Sequence, residues 1–166
     1  QLVNTILTGA DLTDAILIGA DLSTANIFGI IDGINVLEKT KLKGANLTNA
    51  NLTNINLIGV DISETTLKGA DLTGVKLERA KANNAHLEDV DLSFKNLSKI
   101  RLVDASLNRS ILVGAELSNA KLMGANLSDA DFTGAKLIDA NLTNANLTGA
   151  NFHMADLTGA NLEGVI

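Results

Sequence analysis

Hydrophobic positions recur every five residues along this chain. Positions 2, 7, 12 and onward make 33 sites, of which 27 are Leu, two are Ile (Ile27, Ile62) and two are Phe (Phe132, Phe152), leaving Asp32 and Ala82 as exceptions. The site two residues before a central residue is mostly small, with Ala at 20 of 32 places, and the site two residues after it holds 13 of the 14 glycines. The pattern is most regular over residues 115–164. A period of five excludes both usual elements. In a helix, residues five apart lie about 140° from each other around the axis, and in a continuous strand they point to opposite faces. A bend is therefore required in every pentad. The small residue and the Leu are two apart, a strand spacing that puts both on one side. The other three residues turn the corner, where Gly serves turns that need positive φ. Short sides, regular corners and one inward apolar row predict an all-β solenoid, in which stacked coils bury the Leu row that no single coil can bury alone.

The repeated unit, seen as Ala10-Asp11-Leu12, Ala45-Asn46-Leu47 and Ala160-Asn161-Leu162, resembles the pentapeptide-repeat family in the A(D/N)LXX form common among cyanobacterial members. The resemblance covers almost the whole chain. It implies a right-handed quadrilateral β-helix with four pentads per coil, and hence about eight coils of 20 residues, in one domain over 1–166. On that coil length Phe132 and Phe152 stack in one interior column. Family members that bind DNA gyrase tend to be richer in central Phe and to carry Cys; this chain has two central Phe and no Cys.

The frame frays in two places. Over residues 28–39, FGIIDGINVLEK, Asp32 falls on a central site, Asn35 on a small site, and Gly33 is the one glycine out of place. An unpaired buried carboxylate is costly, so a bulge or loop is expected to turn outward at Asp32-Gly33, with Ile31 replacing the inward residue. Loops are where repeat proteins display specificity, and Phe28, Ile31, Asp32, Gly33, Ile34 and Asn35 form the candidate interaction loop. The second disturbance is Ala82 on a Leu site and Lys95 on a small inward site, next to Phe94 at a corner. Ala82 predicts a filled gap or a small cavity, and Lys95 a stem that snorkels to water at a local distortion.

Charge changes this picture only modestly. The chain carries 13 Lys and Arg against 19 Asp and Glu, net −6, so direct nucleic-acid binding is not expected. Columns of residues 20 apart would place Gln1, Asp21, Lys41, Asp61, Lys81, Arg101 and Lys121 on one face, with Lys81, Arg101 and Lys121 as a candidate basic ridge. The opposite column would run Asp11, Ile31, Asn51, Asp71, Asp91, Ile111 and Asp131. The basic middle weighs against DNA mimicry along a continuous anionic face.

Chemistry is scarce. With no Cys, and with His86 and His153 on different columns, no metal set can be assembled. No phosphate-binding G-x-x-x-x-G-K-[ST] occurs, and paired carboxylates on a convex rod lack the pocket that would shift one pKa. No catalytic residue, metal or cofactor is expected, and no apolar run reaches the roughly 18–20 residues of a membrane span. The first residue is Gln1 rather than Met, which implies a removed upstream segment. The compartment stays open: soluble and cytoplasmic, or lumenal or periplasmic if that segment was a signal peptide. Uncapped ends in register predict an end-to-end homodimer or flanking segments. The reading that follows is a noncatalytic scaffold for an unknown protein partner; the alternative is a DNA-mimicking inhibitor or protector of DNA gyrase.

Overall fold

The computed structural model describes residues 10–22, 28–31, 34–39 and 41–166. Numbering each pentad from its polar residue, residues 46–50 read Asn46, Leu47, Thr48, Asn49, Ala50, and the five N–H groups of this unit are fully accounted for. Asn46 donates back to the Ala15 carbonyl at 2.9 Å, Leu47 donates forward to Thr66 at 2.8 Å, and Asn49 forward to Lys68 at 2.9 Å. Ala50 closes a turn onto the Leu47 carbonyl at 3.0 Å. The remaining N–H, that of Thr48, donates to Oδ1 of Asn46 at 3.1 Å, and the Thr48 hydroxyl donates to the same oxygen at 2.7 Å. Buried backbone groups must find such partners. The Asp or Asn of the repeat is therefore a structural acceptor, closing an Asx turn onto the residue two places on.

The fourth residue of each described pentad has positive φ. Eleven of these corners are Gly and sixteen are not, and ten of the sixteen are Asp or Asn, the residues that best tolerate the left-handed region. With the turn closing onto the residue two before it, this defines a type II turn at each corner. The glycines have a second reason. A Cβ on Gly69 would lie 2.3 Å from Oδ1 of Asn49, and one on Gly74 2.0 Å from Oδ1 of Asn54. An Asn or Asp at one corner thus leans over a Gly at the corner one coil on.

Parallel bridges join most pentads to the one twenty residues later, as in Asn46↔Thr66, Thr66↔His86, His86↔Ser106 and Ser106↔Asn126. Four pentads complete a turn, and the inward residues stack into one core. Central Leu residues such as Leu47, Leu67, Leu107 and Leu127 are fully buried, each contributing about 1.5–3 kcal/mol. Phe132 and Phe152 stack with ring centroids 4.8 Å apart and planes 4° from parallel. Ala82 is buried beside a cavity of about 10 Å³ lined only by apolar side chains, among them Leu57, Leu77 and Leu102. That volume is near the minimum for one water, and its lining offers water no partner.

One turn is longer. Asp11 pairs with Lys41, Ile16 with Asn46 and Asp21 with Asn51, each thirty residues apart rather than twenty. The uniform 20-residue coil is therefore corrected at this turn: ten residues, two whole pentads, are inserted without shifting the five-residue frame. The stretch forms a two-stranded antiparallel sheet, β1 (Phe28–Ile31) and β2 (Ile34–Lys39), with Gly29↔Val36, Ile30↔Asn35 and Ile31↔Ile34 in register and a bulge between Phe28 and Gly29. Asp32 and Gly33, and the side-chain direction expected of Ile31, lie outside the described residues. The expected columns also need correction below residue 41. Lys41 follows Asp11 rather than Asp21, Asn51 follows Asp21 rather than Asp11, and Asn46 follows Ile16.

Candidate functional site

The residues singled out from sequence fall into two groups. Phe28 and Ile31 belong to β1, and Ile34 and Asn35 to β2. Lys81, Arg101 and Lys121 occupy successive rungs of one column, joined by the bridges Lys81↔Arg101 and Arg101↔Lys121. β2 ends at Lys39, two residues before Lys41, which follows Asp11 on the column that runs on through Asp61 and Lys81. The lower half of this column is charge-paired: Lys41 meets Asp11 at 2.9 Å, and Lys81 lies 3.9 Å from Asp61.

The acidic column runs Asp21, Asn51, Asp71 and then Asp91, Ile111, Asp131, Asn151. Its carboxylates are turn acceptors. The Thr73 N–H reaches Asp71 at 2.9 Å, the Ser93 N–H reaches Asp91 at 2.8 Å, and the Thr133 N–H reaches Asp131 at 2.9 Å. These bonds favour the ionised form. The Thr73 N–H is the main cause holding Asp71 below its usual range; the Ser93 and Thr133 side chains are the first causes for Asp91 and Asp131. Asp11 is pulled down to about 2, first by the Thr13 hydroxyl and then by Lys41. On another corner Arg109 grips Asp89 through two bonds of 2.7 and 2.9 Å. Each of these shifts moves its group away from neutrality, whereas acid–base work needs a group poised near it.

One feature departs from the ladder in a way the sequence only hinted at. Asn51 is bridged to Asp71, and Asp91 to Ile111, but Asp71 and Asp91 are not bridged, nor are Lys76 and Asn96 on the next face. Among the described residues, the N–H groups of Leu72, Gly74 and Asp91 have no backbone partner across this gap. The ladder closes again where Arg79 donates to the Ser98 carbonyl at 3.0 Å. The residue out of keeping is Lys95, half-buried at a wall site where its neighbours one coil away are Val75 and Ala115, both buried. A four-carbon stem does not fit there, and the coils part. The opening is a recess of about 230 Å³ lined by Asp71, Thr73, Asp91, Ser93 and Lys95, together with Ala70 and Leu72. On the neighbouring face Glu78 takes a 3.0 Å bond from Asn96 through one carboxylate oxygen, while the other, Oε2, is buried without a partner.

Beside the recess the surface is apolar. Phe94 holds a left-handed corner at φ 57°, a conformation costing a bulky residue about 1–2 kcal/mol, and its side chain is 79% exposed. The ring lies so close to Gly114 that a Cβ there would come within 2.7 Å of two ring carbons. In the same pentad as Gly114, Ile111 is exposed and Val113 half-buried. Ile111 stands where Asp91 and Asp131 supply an acceptor, and so leaves the Val113 N–H without one.

The description "Pentapeptide repeats" fits a family model with eight copies, over residues 1–29, 40–79, 70–100, 96–129 and 125–164. The chain is a pentapeptide-repeat protein. Residues 30–39, which the model skips, are ten in number, the same as the excess in the long turn. No curated protein sequence matches the chain. Among solved structures, this pentapeptide-repeat protein is similar to Rfr23 from the cyanobacterium Cyanothece 51142, 31% identical over 70% of this chain and 90% of that one, with a TM-score of 0.55. It is also similar to HetL, a pentapeptide-repeat protein involved in heterocyst differentiation regulation in the cyanobacterium Nostoc sp. strain PCC 7120. That likeness is 33% identity over 94% of this chain and 71% of HetL, with a TM-score of 0.50. QnrB1, a plasmid-mediated fluoroquinolone resistance protein, aligns over 97% of this chain and 90% of its own at 18% identity and a TM-score of 0.53; that likeness carries the fold alone.

Within this pentapeptide-repeat protein the two histidines stay apart. His86 lies on the Thr66–Ser106 column and contacts Glu88 at 3.2 Å, whereas the His153 N–H is tied to Asn151 on another face. Among the described residues no group of three or more His, Cys, Asp or Glu could hold a metal, and no helix is long and apolar enough to cross a membrane. Sequence reasoning marked Phe94 and Lys95 as irregular and placed Ile111 one coil on from Asp91, but did not connect the two. The signal was available in the 20-residue offset, since 111 is 91 advanced by one coil.

Proposed function

We propose that this protein is a noncatalytic interaction scaffold: a right-handed quadrilateral β-helix of just under eight coils whose 28–39 hairpin contacts a protein partner. The observation that carries this reading is the insertion of two whole pentads as a hairpin, in the segment the repeat model skips. Repeat proteins place recognition in insertions that leave the stacked core undisturbed. Both strands of an isolated pair keep an edge for strand addition. The upper part of the basic ridge, Arg101 and Lys121, lies on the column that Lys41 joins just after β2 and would favour an acidic partner. The experiment is affinity capture from the native host with the full chain and with residues 30–39 removed. A partner lost on removal supports the hairpin; an unchanged partner list overturns it. The gyrase reading draws on net acidity and the fold shared with QnrB1. A supercoiling assay with gyrase separates it from the scaffold reading, and no effect at micromolar protein sinks it.

A further inference from the structure

We propose that the face carrying Phe94, Ile111 and Val113, with the recess at Asp71 and Asp91 beside it, is a second docking site, fitted to a partner segment with an apolar residue flanked by basic ones. Four departures from the repeat converge there although they are spread over residues 94–113. Phe94 takes a left-handed corner that Asn, Asp or Gly holds more cheaply. Lys95 parts the coils, and Ile111 and Val113 replace the Asp–Thr pair that Asp131 and Thr133 form one coil on. Each choice disfavours the local structure, and local rules are broken most often where a surface has work to do. Together they place an exposed apolar patch on a flat face otherwise made of Asp, Asn, Thr and Ser, with His153 at its far end.

Charge complementarity identifies the occupant. Asp91 and Asp131 flank Ile111 along the column, and Asp71 lies one coil beyond. Lys95 offsets one of these three carboxylates, so the rim remains anionic and selects against an acidic segment. An apolar side chain would cover the Phe94 ring and Ile111, while an adjacent Lys or Arg would reach the carboxylates. The recess, with the free N–H groups of Leu72, Gly74 and Asp91 at its edge, would take the polar end of that chain or a carbonyl beside it.

The test uses the full chain labelled for amide NMR and three capped peptide probes: Gly-Ser-Lys-Leu-Lys-Ser-Gly, the same peptide with Leu replaced by Gly, and the same with both Lys replaced by Glu. The expected result is that the first peptide shifts resonances of residues 91–95 and 111–114, and that the others bind at least about tenfold more weakly. The decisive variant is Phe94→Asn. Asn49 and Asn54 hold the same corner under Gly69 and Gly74, so this variant keeps the fold, melts no lower than the native chain, and loses the binding. Equal binding of the Leu and Gly peptides, or shifts spread over the acidic residues of other faces, would mean nonspecific attraction and overturn the proposal. Absence of any shift at millimolar peptide would do the same. Concentration-dependent shifts at 91–95 and 111–114 without peptide would assign the face to a second copy of the chain, again overturning it.

Discussion

The two interruptions of the coil fail in opposite ways. The 28–39 hairpin adds ten residues and leaves the ladder joined on both sides, through Asp11↔Lys41, Ile16↔Asn46 and Asp21↔Asn51. Lys95 adds no residue, keeps the frame, and breaks the ladder on two faces. The coil therefore tolerates length in whole pentads at a corner, because the corner is on the surface and the turn that follows restores the register. It does not tolerate a long cationic stem in its wall, although Ile55 and Ile100 are buried there with their rungs intact, because wall residues sit between coils whose spacing is fixed by backbone hydrogen bonds.

The sharpest way to break this contrast is to place a second lysine in the regular part of the wall. Ala105 is fully buried between Ala85 and Ala125 of the adjacent coils. Ala105→Lys is expected to lower stability by about 3 kcal/mol, through overpacking and burial of a charged stem, measured by urea unfolding. The expected signature is lost amide protection on the rungs at Ser106 and Asn126. The converse change, Lys95→Ala, should close the gap and raise stability by about 1–2 kcal/mol. Hydrogen exchange is the direct check: protection at the Leu72, Gly74 and Asp91 amides should rise at least about tenfold. Unchanged exchange there would mean that something other than Lys95 holds the coils apart.

These substitutions also mark what was legible in the sequence. The period of five and the inward Leu row followed from spacing, because every regular pentad solves the same local problem in the same way; the stacking of Phe132 on Phe152 followed from the 20-residue coil that the family resemblance implies. The Asp or Asn of the repeat was visible as a pattern, but its role as acceptor for the Thr48-type N–H needed the turn geometry. The hairpin's irregularity could be read from Asp32 on a central site; its consequence for the columns could not. Ten is a multiple of five, so the insertion leaves the Leu frame intact while displacing every lower residue by half a coil. Asp21 was placed under Lys41 for that reason. The gap at Lys95 depends on how three coils share volume, and that is written in no single pentad.

Removing residues 30–39 tests the other half of the contrast. The deletion joins Gly29 to Thr40 and restores a fourth residue followed by a fifth, so every turn becomes twenty residues long. The thermal midpoint should move by no more than about 2–4 °C, equivalent to about 1 kcal/mol, and the spectrum of residues 60–160 should be unchanged. Removing only 34–39, six residues, shifts the frame by one and should unfold the first turn.

The smallest expected effect concerns the acidic column. Asp71, Asp91 and Asp131 have carboxyl pKa values lowered by the N–H and hydroxyl groups that they accept. A group whose folded pKa lies below its unfolded value stabilises the fold above the unfolded pKa and loses that contribution as pH falls through the folded one. Stability should thus be flat with respect to these groups from neutrality to about pH 5 and decline below about pH 4. Asp11, drawn down to about 2, extends the decline further toward acid. Asn accepts the same turn bond without a charge, as Asn51 does from Thr53 at 3.0 Å. Replacing Asp71, Asp91 and Asp131 together by Asn should therefore leave the midpoint at pH 7 nearly unchanged and make the acid decline shallower. If the triple variant instead melted markedly lower at pH 7, the charge of the column rather than its turn bonds would be what holds that face. The parted coils at Lys95, the one cation beside Asp71 and Asp91, would then be where the loss begins.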